Sequence, residues 1–350
     1  RSCVGWQSDG FPGGQSQPVS FGTITYRPVA DLQSRNDLMP TPSISRILIC
    51  DRLGDQLASY ITARRSDLIC RVCSDGVMRD ADRLWADVLI GFTTPVDLGT
   101  SSIRWVHSTG AGVDGLLGQP WPAGVSLTRT TGELGDRVAE YCVGYALAHT
   151  QRMAAFRRDQ TRRRWDPLEP ATVKDTTVVI IGTGAVGSAI AARFGALGCH
   201  TVGVSRSGHL RPPFDQVRPV DDLTSIVSTA HWIIISAPLT PETHGLVGKS
   251  VLTGCQEAFL INVARGALLD TTALLTALDA GTIVGAALDV FEEEPLSSDS
   301  PLWSAPGVII TPHVAGVTHL DEAGDAFLDA LAARESGKTP ATTVDPARGY

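Results

Sequence analysis

The sequence has no run approaching the roughly 18 consecutive apolar residues of a membrane-spanning helix, and its first residues show no basic stretch leading into an apolar core. Both absences point to a cytoplasmic protein with no membrane partner. A basic surplus is missing as well: the formal net charge is -8, so no overall field draws in nucleic acid. The 7 cysteines are scattered, an arrangement that makes a poor disulfide framework and fits a reducing compartment. The Cys70-x-x-Cys73 pair has no second pair or histidine cluster to complete a zinc site, so ordinary burial is expected there. Internal repeats of solenoid length are also absent.

What is present is apolar content of 43% in 350 residues, enough for one large or two ordinary domains with real cores. Residues 1–42, with "FPGGQSQP", are rich in Gly, Pro, Ser and Gln and lack periodicity, so they are expected to form a partly disordered extension. Strand-like "SRILICD", "ADVLIGF" and "IRWVHS", with a helical stretch after the first, predict an α/β unit over residues 43–133. "GDRVAEYCVGYALAHTQRMAAFRRDQ" predicts one long helix leading out of it, and the basic run "RRDQTRRRW" reads as its solvated end. From residue 176 apolar strands "TVVIIG", "TVGV", "WIIIS", "FLINV", "GAALDVF" and "GVIIT" are separated by helical or connecting segments. Continuous apolar strands of this kind need cover on both faces, which predicts a doubly wound parallel sheet of Rossmann type.

Between the first two of these strands, "IIGTGAVG" places Gly182, Gly184 and Gly187 in G-x-G-x-x-G spacing. The pattern is weak alone, but a strand before it and a helix after it give it meaning. Gly182 permits the tight turn, Gly184 lets the backbone approach a pyrophosphate, and Gly187 lets helix pack on strand. The phosphates are then expected at the helix N-terminus near Ala185 and Val186. Ser205 and Arg206 follow Gly187 by 18 and 19 positions, where an acid usually meets the adenine ribose. A guanidinium and a hydroxyl there suit a 2′-phosphate, so NADP(H) is the expected cofactor, with NAD(H) as the alternative.

Ligands of open α/β sheets sit beyond the carboxyl ends of the strands. Arg265 follows "FLINV" by two residues, Glu294 follows "GAALDVF" by three, and His313 follows "GVIIT" by two. These are the parts needed to reduce a 2-oxo acid. Arg265 would pair with the substrate carboxylate and polarise the carbonyl, His313 would protonate its oxygen, and Glu294 would orient the imidazole. The other histidines have no matching partners at neighbouring strand ends.

"STGAGVDGLL", "RVAEYCVGYAL", "GTGAVG", "INVARGALLD", "ALDVFEEEPL", "SPLW" and "ITPHVAG" resemble, in order and spacing, the signature stretches of the D-isomer-specific 2-hydroxyacid dehydrogenases. The resemblance implies that Arg265, Glu294 and His313 are catalytic and that backbone amides around Ala111, Gly112 and Val113 help hold the substrate carboxylate. It further implies that Asp289 contacts the nicotinamide carboxamide, with Ala315 and Gly316 beside the ring and Val263 and Ala264 in the cofactor set. The implied architecture is a dinucleotide-binding domain over residues 134–316. A flavodoxin-like α/β substrate domain, residues 43–133 and 317–350, would be split across the two chain ends, and the protein would be a homodimer. The Ser205-Arg206 pair is similar to that of the NADPH-preferring glyoxylate/hydroxypyruvate reductases. "TRTTGELGDRVAE" departs from the family in lacking an Asn-containing run before the interdomain helix. Two alternatives stay open: a phosphite dehydrogenase-like enzyme, which shares the Arg, Glu and His set, and a nucleotide-sensing corepressor of the same fold. Formate dehydrogenases pair their histidine with glutamine, which Glu294 does not match.

Overall fold

The computed structural model describes residues 44–73, 78–93, 98–118 and 120–349; the expectation for residues 1–42 falls outside them. In chain order the strands are β1 (Arg46–Cys50), β2 (Ile69–Val72), β3 (Val88–Gly91), β4 (Trp105–Ser108), β5 (Ser126–Arg129), β6 (Thr177–Ile181) and β7 (His200–Ser205). They continue with β8 (Gln216–Pro219), β9 (Trp232–Ile235), β10 (Ala258–Asn262), β11 (Ile283–Leu288), β12 (Val308–Ile310) and β13 (Thr343–Val344). The helices used below are α1 (Gly54–Arg64), α2 (Asp80–Trp85), α3 (Leu134–Thr150), α4 (Met153–Thr161), α5 (Ala185–Ala196), α6 (Leu223–Ile226), α7 (Lys249–Leu252), α8 (Thr271–Ala280) and α9 (Leu320–Glu335).

The strands form two sheets. The first runs β13-β5-β4-β3-β1-β2, parallel except for the antiparallel edge β13. Its parallel part has the order of a flavodoxin-like sheet. The second runs β12-β11-β10-β9-β6-β7-β8 and is parallel throughout. Its order reverses between β6 and β9, the switch point of a Rossmann-type sheet. β9 and β10 are buried along their whole length because apolar cores cover both faces. The doubly wound expectation therefore holds.

α9 explains why the first sheet needs both ends of the chain. Ala323, Phe327, Ala330 and Leu331 of α9 are buried against Ile47, Ile49 and Trp105 of the sheet. The Phe327 ring stacks on Trp105 at 5.0 Å between centroids and 16° between planes. Gly324 lies against the Tyr60 ring of α1, where a larger side chain would overlap the aromatic carbons.

Three features depart from the sequence expectation. The long helix is two helices, α3 and α4, broken at Arg152, whose φ of 56° is left-handed. The chain returning after α4 explains the break: Ala171 N–H donates to the Thr150 carbonyl at 2.9 Å, an acceptor lost to the helix. Cys73 is not an isolated buried thiol but is disulfide-bonded to Cys50, the two lying at the same end of neighbouring strands. Cys70 remains a free thiol, pushed up to about 11 by burial. Finally, the short strands β2, β5, β8 and β13 were not anticipated. β2, for instance, alternates exposed and half-buried positions and offers no apolar run to read.

β4 also buries an ionisable ring completely. His107 Nδ1 lies 2.7 Å from Thr128 Oγ1 and Nε2 lies 3.2 Å from Thr130 Oγ1, with no carboxylate in either contact. Burial lowers its pKa from 6.5 to about 3. The unfolded chain takes up a proton near pH 6.5 and the native ring does not until about 3, so protonation favours unfolding across that interval. We expect stability to fall by up to about 1.4 kcal/mol per pH unit from this residue as pH drops below 6.5. Urea unfolding from pH 7 to pH 4 should show that slope, and His107→Asn should flatten it by about one proton.

Candidate active site

The carboxyl ends of the parallel strands of both sheets face one cleft of about 2540 Å³. That exceeds the roughly 300–1,000 Å³ of a usual small-ligand pocket and leaves space for a dinucleotide beside a small acid. At one end the turn from β6 into α5 fits a pyrophosphate. Gly182 has φ of 108°, and a Cβ there would stand 2.7 Å from the Ala237 amide nitrogen. A side chain at Gly187 would overlap the Gly182 carbonyl oxygen, so this residue packs beneath the turn and does not line the cleft. At Gly184 a Cβ would meet no protein atom within 4 Å, and the residue opens on the cleft as the N-cap of α5 without a side-chain cap. Open space above uncapped amides is what a phosphate group needs. Ala185 and Val186 line the same wall.

Ser205, the last residue of β7, and Arg206 lie at the far rim, with the Ser205 hydroxyl accepting from Gly208 N–H at 3.1 Å. Glu242 faces them from the loop after β9. Its carboxyl is held below the usual range chiefly by a hydrogen bond from Thr240 and, to a smaller degree, by the charge of Arg206. Arg211, which the sequence did not single out, donates to the Thr183 carbonyl at 3.2 Å and brings a second guanidinium to this rim.

The candidate reactive groups gather where the two sheets meet. Asn262 ends β10 and is fully buried; its amide accepts from Ala264 N–H at 3.1 Å and donates to the Arg265 carbonyl at 3.0 Å. This clasp turns the chain so that Val263, Ala264 and Arg265 line the cleft. Gly266 then presses on the Phe291–Glu292 peptide so closely that a side chain would overlap it. From the first sheet, the loop of Ala111, Gly112 and Val113 lines the opposite wall. Arg265 crosses to this loop, where both Asp114 oxygens accept from its Nε at 3.0 Å and one of them forms an ion pair with Nη2 at 2.9 Å. The guanidinium rests on Gly112, where any Cβ would overlap Nη2. Arg129 braces the loop from the other side by donating to the Ala111 carbonyl at 3.2 Å.

His313 stands on the segment after β12 with a φ of 55°, unusual for a non-glycine residue. Its N–H donates to the Asp289 carbonyl at 2.8 Å, and its Nδ1 lies 2.7 Å from Glu294 Oε2. Glu294 Oε1 accepts from Phe291 N–H at 2.9 Å, which fixes the carboxylate behind the imidazole and out of the cleft lining. Asp289, buried at the end of β11, accepts from Thr311 Oγ1 at 2.6 Å, Val314 N–H at 2.9 Å and Ala315 N–H at 2.8 Å. Ala315 is buried behind this segment, and Gly316 packs on Leu134 and Val138 of α3 while reaching the cleft. Trp303 of the "SPLW" stretch points its indole N–H at the Ser297 carbonyl and is outside the cleft.

A glycine-loop sheet beside a cleft holding an arginine and a histidine–glutamate pair defines a nicotinamide-nucleotide oxidoreductase. The model of the D-isomer specific 2-hydroxyacid dehydrogenase NAD-binding domain matches residues 143–315. Glyoxylate/hydroxypyruvate reductase A of Yersinia enterocolitica is 34% identical over 283 residues, covering 78% of this chain and 90% of that protein. Among solved structures, a D-isomer specific 2-hydroxyacid dehydrogenase from Xanthobacter autotrophicus Py2, in complex with NADPH and MES, superimposes with a TM-score of 0.79. It is 28% identical, covering 88% of this chain and all of that one. The NADPH-dependent glyoxylate/hydroxypyruvate reductase of Sinorhizobium meliloti, in complex with NADP and sulfate, gives a TM-score of 0.75 at 26% identity, covering 87% of this chain and 100% of that one. The chain belongs to the D-isomer specific 2-hydroxyacid dehydrogenase family.

Asp114 and Asn262 were missed in the sequence because each acts only through another residue's position. A direct test of the packing is Gly112→Ala, whose methyl group must displace the Arg265 guanidinium. We expect kcat/KM to fall by about 10–100-fold, the cost of a misplacement on the order of 1 Å. The thermal midpoint should barely change, because the methyl group meets the end of a flexible side chain.

Proposed function

We propose that this dehydrogenase works as an NADPH-dependent reductase of small 2-oxo acids, of the glyoxylate/hydroxypyruvate type, forming the D-2-hydroxy acid. The observation that carries this reading is the convergence of Arg265 and His313, backed by Glu294, on the cleft whose other end holds Gly184 and Arg206. In this reading residues 43–133 and 317–350 hold the acid and residues 134–316 hold the nucleotide.

When bound, the dinucleotide supplies the hydride. The residues do the rest. Amides of Ala111, Gly112 and Val113 receive the substrate carboxylate, and the Arg265 fork draws electron density to the carbonyl oxygen. With Nδ1 directed at Glu294, Nε2 is the nitrogen left to face the substrate, and it gives its proton to that oxygen. Glu294 holds the ring's orientation through Nδ1. In the oxidative direction Nε2 takes the proton back. Asp289 and Gly316 would form the wall at the nicotinamide end, with Val263 and Ala264 lining the same cleft and Ala315 behind them tied to Asp289.

Ser205 and Arg206 select the 2′-phosphate, a reading supported by the fixed charge of Arg206 where an acid would repel it. The NADP-bound relatives of this fold lend further support. A cytoplasmic setting fits the need for a pool of reduced nucleotide. The homodimer we propose is supported by the apolar surface on and after α4, where Met153 is 55%, Phe156 37% and Trp165 97% exposed.

Initial rates with NADPH and NADH against glyoxylate, hydroxypyruvate, other 2-oxo acids and phosphite test the reading. Turnover of 2-oxo acids with NADPH is expected; phosphite-dependent reduction of the nucleotide, or no turnover at all, overturns it. Arg206→Asp should raise the KM for NADPH at least tenfold more than that for NADH, whereas equal losses would refute the 2′-phosphate assignment. Light scattering should give twice the 37.1 kDa chain mass, and Trp165→Arg should shift it toward the monomer.

A further inference from the structure

The Arg265 guanidinium has five N–H donors on three edges, and the structure shows which edges are already used. Asp114 takes the Nε–Nη2 edge side-on, at 3.0 Å to Nε from both oxygens and 2.9 Å to Nη2. Nη1 donates to the carbonyl of the preceding residue, Ala264, at 2.7 Å. The Nη1–Nη2 end of the guanidinium carries further N–H groups beyond these contacts, and Nη2 lies against Gly112. We infer that Asp114 is a positioning residue that presents this end of the guanidinium to the substrate, so that Arg265 polarises the carbonyl instead of merely binding the carboxylate. The inference rests on the substrate-binding reading of Arg265 given above.

An arginine on a flexible stem has no intrinsic preference for the edge it offers a carboxylate. The side-on edge is a good bidentate site, and an acid engaged there would be bound without its carbonyl beside the remaining N–H groups. Asp114 occupies that edge in advance. It also partly neutralises a guanidinium that is only 22% exposed, so the arm does not wait in the cleft as an unpaired cation. Asp114 follows Ala111, Gly112 and Val113 directly, and it lies 151 positions from Arg265. The loop proposed to hold the carboxylate and the arm proposed to act on the carbonyl are thereby one unit, although they come from different sheets.

The roles separate in kinetics, since a lost transition-state contact lowers kcat while a lost binding contact raises KM. Asp114→Ala frees the side-on edge. It should lower kcat for glyoxylate by about 10–100-fold while KM changes less than about threefold. Asp114→Asn keeps one acceptor oxygen for Nε and should recover at least threefold of the lost kcat. Because Asp114 acts through Arg265, adding Asp114→Ala to Arg265→Ala should change the residual rate by less than about twofold. NADPH affinity, read by nucleotide fluorescence, checks that each variant is folded; should the alanine variant not bind NADPH, the Asp114→Asn kinetics decide. A raised KM with unchanged kcat, or multiplicative losses in the double variant, would overturn the inference. An Arg265→Ala enzyme as active as the parent would instead remove the reading beneath it.

Discussion

The buried carboxylate of Asp289 is the point on which the geometry of the site depends. It sits at the end of β11 with 1% exposure and accepts from Thr311, Val314 and Ala315. Charge-assisted hydrogen bonds of this kind are worth about 1.5–3 kcal/mol each, and losing the acceptor would strand the buried Ala315 amide. Its backbone carbonyl also receives the N–H of His313, which helps hold that residue in its left-handed conformation. Tyr141 of α3 extends the network, its hydroxyl 2.7 Å from Thr311 Oγ1 and its ionisation raised by burial. One residue thus sets the histidine through its carbonyl and, through its carboxylate, ties α3 and the chain's return toward the first sheet.

Where the chain crosses between sheets, a second carboxylate draws the two connecting segments together. Glu322, in the first turn of α9, accepts from Glu133 N–H and His319 N–H at 3.0 Å each and pairs with Arg137 of α3. These partners hold its carboxyl below the ordinary range despite the opposing cost of burial. Both crossings therefore meet at one anion. The positions of the Gly112 loop and of His313 relative to each other depend on this junction as well as on the Arg265–Asp114 pair.

The parts legible from sequence were those whose signal is local. β6, β9 and β10 read as strands because each is an unbroken apolar run covered on both faces. The glycine spacing was legible because it is a short pattern set directly between an apolar strand and a helix. Arg265, Glu294 and His313 were legible as strand-end residues, and the structure brings Arg265 and His313 to one cleft with Glu294 behind the histidine. Asp114 was not, since "AGVDGLL" gives no sign of a guanidinium 151 positions away. Nor was the break at Arg152 legible, because the competing donor, Ala171, comes from the returning chain.

By itself the sequence determined the class of fold and singled out the glycine loop and the candidate reactive groups, because apolar periodicity and side-chain chemistry are short-range properties. Only the tertiary structure decided which edge Arg265 presents, which cysteine meets Cys50, and how His313 is held. Those outcomes depend on pairs of groups that come within about 3 Å only after two sheets, built from distant segments, have packed around one cleft.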